Sequence, residues 1–427
     1  MADTFDAVRR AVGCQSAVLE NGLTVLVRPM PGYSSTYALY GTRFGSVDLD
    51  FEVEGKTVHL PAGTAHFLEH KMFESEEGDA FARFGATGAS ANAYTSFDKT
   101  CYLFSATDKV DENLDILLSM VNEPYFTPAT IQKEQGIIGQ EIKMYEDSPD
   151  WRVMTALFGC LYQEHPIRHD IAGTVESIAQ ITPEMLYDCC RAFYNPANMV
   201  LAVAGNVTLE QVLAACKRAK LPVCPGSVRR LEADEPAAIA APKARFSMQV
   251  AKPCLGVGFK EAPRRGVKFE VICDMLTEVI CGGMTPLYRT LYDQNLVNPG
   301  FDGEFLALDG LCCFLFTGET DQPEKVREML LAEIRRLRAE GVDEELFTLC
   351  KNQLYGEMVQ DLESTESAAS LLAGSFLRGC QPGEELAALA SVTKQDLDDA
   401  LQTMLRDERC ATVVIDPAAA GEKEELV

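Results

Sequence analysis

Two histidines four residues apart, His66 and His70, enclose Glu69 within Thr64-Ala65-His66-Phe67-Leu68-Glu69-His70-Lys71-Met72-Phe73. If the segment is helical, the imidazoles project one turn apart from the same face. At that spacing they can share one zinc ion, each at roughly 2 Å. Glu69 lies beside His70 and three residues from His66, so it can point toward a metal-bound water without taking a ligand position. The order is the zinc-peptidase pair His-Glu-x-x-His in reverse. Only five histidines occur in the chain, which makes the spacing an uncommon one. Two histidines that merely face a polar core are the plain alternative.

A catalytic zinc needs a third protein ligand and keeps a fourth position for water. The helical pattern after Thr127 offers Glu134 and Glu141, on one stripe with Ile138 and Tyr145. One glutamate as ligand and the other behind the ligands would explain the pair. A solvated face would also place them there. His165 and His169 repeat the four-residue spacing, but Pro166 disfavours a helix and a second metal site is not expected.

The elements that must position these residues are legible in outline. Ala17 to Val27 reads as a hairpin, with Asn21-Gly22 as a type I′ turn. Strands are predicted at Tyr37 to Arg43, Lys99 to Phe104 and Met199 to Ala204. A helix begins at Pro128 with Thr127 as its N-cap. Cys101-Tyr-Leu-Phe104 leads into an amphipathic stretch, 113 to 121, and then a long helical pattern, 131 to 145. Cys313-Phe-Leu-Phe316 leads into similar stretches, 326 to 337 and 347 to 362, at offsets of 212 and 216 residues. The steady offset predicts a tandem duplication. Four prolines among small residues near 221 to 245 read as an extended linker. The expected fold is α+β: two homologous α/β sandwich domains, mostly antiparallel, with helices packed on one sheet face. Boundaries are expected at 1–225 and 246–427, with 226–245 between them.

The 427 residues suit two domains, and 47% hydrophobic with 24% charged residues is globular composition, excluding disordered and fibrous classes. A balance of 38 basic against 64 acidic residues, −26 in all, disfavours nucleic-acid and anionic-membrane partners. No apolar run reaches the roughly 18 residues of a membrane span, and the start of the chain lacks a signal-like apolar region. Fifteen scattered cysteines, an odd number without a Cys-x-x-Cys unit, lead us to expect a reduced, cytoplasmic protein. Serine-hydrolase elbows and phosphate loops are absent from the sequence.

Gly63-Thr-Ala-His-Phe-Leu-Glu-His-Lys-Met-Phe73 resembles the inverted zinc motif of the pitrilysin/insulinase metallopeptidases, which include the mitochondrial processing peptidases. The resemblance continues through Gly88-Ala-Ser-Ala-Asn-Ala-Tyr-Thr-Ser96, Lys133 to Ile142, His165-Pro166, Gly173-Thr-Val-Glu-Ser-Ile178 and Asn195 to Gly205. It covers most of the first half with specific motifs and the second half more loosely. The length is similar to the short, two-domain bacterial branch. The resemblance implies that His66, His70 and Glu141 bind one zinc ion per chain. It further implies that Glu69 is the general base and that Glu134 is a supporting catalytic glutamate. Zinc would supply Lewis acidity while Glu69 takes a proton from the attacking water and returns it to the leaving amine. Ser90, Ala91, Asn92, Ala93 and Tyr94 look like the family's substrate-binding edge strand. Ser90, Asn92, Tyr94 and Ser96 would share its exposed face.

The second half departs from the pattern. All five histidines lie between His59 and His169, so Cys273 to Gly283, in the place of the zinc helix, cannot repeat the site. Members of the family complete their site with an arginine and a tyrosine seven residues apart. Here Tyr292 stands in the arginine's place and Asn298 or Pro299 in the tyrosine's, while Arg289 could substitute only through a loop shift. The expectation is a zinc endopeptidase for peptides or unfolded segments. It would act as the zinc-bearing subunit of a heterodimer with a like-sized family member, or of a homodimer. A non-catalytic subunit that binds peptide or a partner through the same fold is the alternative.

Overall fold

A computed structural model describes residues 12–76, 78–222 and 228–418. One sheet contains β1 (Gln15–Val18), β2 (Thr24–Pro29), β3 (Thr36–Thr42), β4 (Ser90–Thr95), β5 (Thr100–Ala106) and β6 (Met199–Gly205). Their spatial order is β1-β2-β6-β3-β5-β4. A second sheet contains β7 (Lys243–Met248), β8 (Cys254–Glu261), β9 (Asp302–Leu308), β10 (Leu311–Glu319) and β11 (Cys410–Pro417), ordered β7-β11-β8-β10-β9. Apart from β1 the two orders match strand for strand. The parallel pairing also recurs in the same place, β2 with β6 and β7 with β11. Cys101–Phe104 and Cys313–Phe316 occupy equivalent strands, β5 and β10, as a duplication requires.

The helices that matter below are α1 (Thr64–Lys71), α2 (Val110–Asn122), α3 (Pro128–Glu146), α4 (Pro149–Leu161), α5 (Thr365–Leu377). In α3, Thr130 N–H donates to Thr127 Oγ1 at 3.2 Å, the N-cap bond expected of that threonine. Helices α4 and α5 begin 216 residues apart, at Pro149 and Thr365, so they are equivalent elements of the two halves.

The compact units do not follow contiguous sequence boundaries. Lys143–His169, which carries α4, belongs with the second sheet, and Met358–Ala387, which carries α5, belongs with the first. The reason is burial. Strands β3 and β6 are buried along their whole length, so both faces of the sheet need covering. Tyr40 of β3 points to one face, where its hydroxyl donates to Asn122 Oδ1 of α2 at 3.2 Å. Leu39, Val200, Ala202 and Ala204 point to the other and pack with Ala368, Ala369, Leu372 and Ala373 of α5. In the second unit α4 lies so close to β8 that a Cβ on Gly256 would meet Val153 and Leu157 side chains at 2.7 Å. Helices from one half therefore cover one face, as read from the sequence, and the exchanged helix covers the other. The expected divisions 1–225 and 246–427 miss this exchange.

Two local expectations also change. The β1–β2 connection is longer than a type I′ turn. Gly22 has φ 92° but Asn21 keeps a negative φ, and Gly22 N–H bonds Leu19 O at 2.9 Å. Part of the linker is a strand: Val228–Arg230 pairs with Asp50–Val53, fastened by Arg229 to Glu52 and by Arg230 to Asp48.

Downstream, Glu235 anchors the second unit. Its buried carboxylate accepts backbone N–H bonds from Gln163 (3.0 Å), Glu164 (2.7 Å) and His165 (2.8 Å), and pairs with buried Lys260. Burial opposes the charge, but Lys260 and the three amides outweigh it and hold the pKa down at about 2, against 4.5 unperturbed. A depressed carboxylate pKa stabilises the fold fully above pH 4.5, and that contribution fades as pH falls toward 2. Glu235→Ala is expected to cost about 3 kcal/mol in urea unfolding at pH 7, because it strands Lys260. Unchanged stability would contradict this role. His165 has both ring nitrogens engaged, Nδ1 by Ile167 N–H at 3.1 Å and Nε2 against Asp309 O at 3.3 Å. It caps its own loop.

Candidate metal centre

The start of α1 depends on glycine. Gly63 has φ 91°, and a Cβ there would lie 2.4 Å from Ala172 O. Gly173 mirrors it, its Cβ position being 2.4 Å from Ala62 O, and Ser177 Oγ donates to Ala62 O at 2.7 Å. The segment Gly173 to Ile178 therefore clamps the entrance of the histidine helix, which explains why it accompanies that helix in sequence. Beyond the entrance α1 is buried almost throughout, including His66 and Glu69.

On this helix the two imidazoles stand with ring centroids 4.7 Å apart. Glu141 of α3 reaches both: its carboxylate oxygens lie 3.7 Å from His66 Nε2 and 3.4 Å from His70 Nε2. One donor atom from each of His66, His70 and Glu141 falls within 4.8 Å of the other two. Of the two glutamates on the α3 stripe, Glu141 joins the cluster and Glu134 stands behind it. Glu134 Oε1 lies 3.0 Å from His70 Nδ1, which fixes the ring so that Nε2 faces Glu141.

Charge is arranged accordingly. Burial works against a proton on His70, but its bonds to Glu134 and Glu141 and the charge of Glu69 outweigh that and push its pKa up to about 10. Hydrogen bonds from His66 and His70 hold Glu141 well below the usual carboxylate range. Burial would raise the Glu134 pKa, yet His70 brings it below its ordinary value. Three carboxylates around two imidazoles leave an excess of negative charge that suits a cation. Two imidazole nitrogens and one carboxylate are also the donor types of a catalytic zinc site with an open position, so the residues present fit that ion.

Among the described residues, strand β4 forms the edge of its sheet, hydrogen-bonded only to β5. Ser90, Asn92 and Tyr94 are exposed on it, as the alternation predicts, while Ser96 lies beyond its end. One contact escaped sequence reasoning. Thr95 Oγ1 donates to Glu69 Oε2 at 2.7 Å. The period-two pattern held the signal, because Thr95 is in phase with the small residues Ala91 and Ala93 and out of phase with the exposed set.

Residues 60–175 match the family model described as Insulinase (Peptidase family M16), and residues 180–354 match Peptidase M16 inactive domain. The uncharacterized zinc protease YmfH of Bacillus subtilis is 36% identical, over 93% of this chain and 95% of its own length. The chain belongs to the M16 peptidase family. Among solved M16 structures, a putative M16-like peptidase from Alicyclobacillus acidocaldarius is 34% identical with a TM-score of 0.91, covering 95% of this chain and 98% of the other. The probable mitochondrial-processing peptidase subunit beta of Arabidopsis thaliana is 30% identical over 43% of this chain and 36% of its own. One chain thus carries the M16 match over both halves, the two-domain α+β fold and the His66–His70–Glu141 cluster, and the part that matches the inactive-domain model contains no histidine.

Proposed function

We propose that this M16 chain is a zinc-dependent endopeptidase for peptides or unfolded polypeptide segments. The convergence of His66, His70 and Glu141 around one point, with Glu69 one residue from His70, is the observation that carries the reading. His66, His70 and Glu141 would hold a single zinc ion. When bound, the ion supplies Lewis acidity toward water and the scissile carbonyl. Glu69 takes the proton of the attacking water and delivers it to the leaving amine. Glu134 holds the His70 ring through Nδ1. Ser90 to Tyr94 add the peptide as a further strand, reading its backbone more than its side chains. Glu134→Ala is expected to weaken zinc binding roughly 10- to 100-fold in a chelator competition, and an unaltered affinity would remove the supporting role.

The partner follows from what the second half lacks. Tyr292, in the arginine's place, is half exposed and lies with its ring parallel to that of Tyr288. Asn298 donates to Glu319 Oε2 at 2.8 Å, and Arg289 is an exposed residue paired with Asp293. We therefore read the chain as the zinc-bearing member of a heterodimer whose like-sized partner brings the arginine and tyrosine. A cytoplasmic setting is part of the proposal and rests on the odd, scattered cysteines. The same missing pair favours a second reading, a non-catalytic subunit that binds peptide. The test is peptide hydrolysis by the zinc-loaded chain, alone and mixed with a family member carrying both residues. Cleavage by the mixture alone, abolished by chelator and restored by zinc, is expected. Efficient cleavage by the isolated chain would overturn the division of labour, and a zinc-loaded pair that cleaves nothing would favour the second reading.

A further inference from the structure

We propose that Thr95 is a positioning residue that fixes the orientation of Glu69 and links it to the strand on which peptide adds. The proposal rests on the peptidase reading above. Thr95 is the last residue of β4, and its hydroxyl donates to Glu69 Oε2 at 2.7 Å. The neighbouring hydroxyl, Thr100 Oγ1, is 3.4 Å away and gives its own proton to Phe44 O at 2.8 Å. Glu69 is therefore the near acceptor for the single proton of Thr95.

This arrangement divides the labour between the two carboxylate oxygens. Oε2 is occupied, whereas no hydrogen bond holds Oε1 among the described residues, which leaves Oε1 to exchange a proton with water. An unpinned glutamate samples several rotamers, and only some aim an oxygen at the reacting atoms. The pin also sits at the end of the edge strand, one residue from Tyr94. A peptide that pairs with the free edge of β4 immobilises the same backbone that holds the base. Substrate docking and base alignment become coupled through one hydroxyl.

Thr95→Val keeps the shape and removes the donor. With the zinc-loaded, partner-completed enzyme, kcat is expected to fall roughly 10- to 100-fold, the scale of a misplaced catalytic group. KM should change by less than about twofold, and Thr95→Ser should restore most of kcat. A readout independent of turnover is the thermal midpoint of the metal-free chain. Thr95→Val should lower it by about 2–4 °C beside Glu69, and by less than about 1 °C in a Glu69→Ala background, because the two effects are not additive. Equal shifts in both backgrounds, or a Thr95→Val enzyme with unaltered kcat, would overturn the proposal. Should wild type cleave no peptide in any pairing, the peptidase reading fails by itself, and the thermal cycle still decides whether Thr95 holds Glu69.

Discussion

Replacing Glu69 with glutamine should leave zinc bound and reduce peptide hydrolysis by roughly a thousand-fold or more, the upper part of the range for general acid–base catalysis. Glutamine matches glutamate in shape, and its amide oxygen can still accept the Thr95 hydroxyl, so α1 and the imidazoles keep their places. What is lost is the carboxylate that takes a proton from water. Measuring kcat at fixed zinc content, beside the metal content itself, separates these contributions. A variant that retains more than about a tenth of wild-type turnover would show that another group serves as base.

The second large effect concerns metal affinity. His70→Ala removes one of three donors and leaves Glu134 and Glu141 without the imidazole they share. Structural zinc sites bind with about 10–16 kcal/mol from four ligands, so one ligand is worth roughly a hundred- to a thousand-fold in affinity. Competition with a chromophoric chelator should show that loss in His70→Ala and none in Glu69→Gln. An affinity in His70→Ala within about threefold of wild type would place the metal elsewhere, since a ligand contributes far more than that. Together the two substitutions separate holding the ion from using it.

The His66–His70–Glu141 cluster was legible in the sequence because helical periodicity is local. Four residues place His66 and His70 on one face whatever surrounds them, and seven residues do the same for Glu134 and Glu141. The choice between those two glutamates was not local. It depends on where α3 crosses α1, which neither helix encodes alone, and the residues could be separated beforehand only through the family resemblance. Thr95 escaped for the same reason, since its bond to Glu69 spans 26 residues and joins a strand to a helix.

The fold shows a similar division. The duplication was readable because Cys101–Phe104 and Cys313–Phe316, and the helical patterns after them, recur at a nearly constant offset. The helix exchange was not. An apolar face on Pro149–Leu161 announces that the helix is buried, but Val153 and Leu157 do not say against which sheet. Gly256 and Gly258 of β8 supply the complementary groove, and a glycine in a strand reads as a weak point until the helix above it is known. The β1–β2 turn was misread because Asn-Gly suits a type I′ turn only where both residues take positive φ, and here Gly22 alone does.

The most direct test of the central claim is an anomalous difference map collected above and below the zinc edge from crystals of the zinc-loaded chain. One peak is predicted, bounded by His66, His70 and Glu141, with Glu134 and Glu69 outside bonding distance. An empty cluster, or a peak held by other residues, would contradict it.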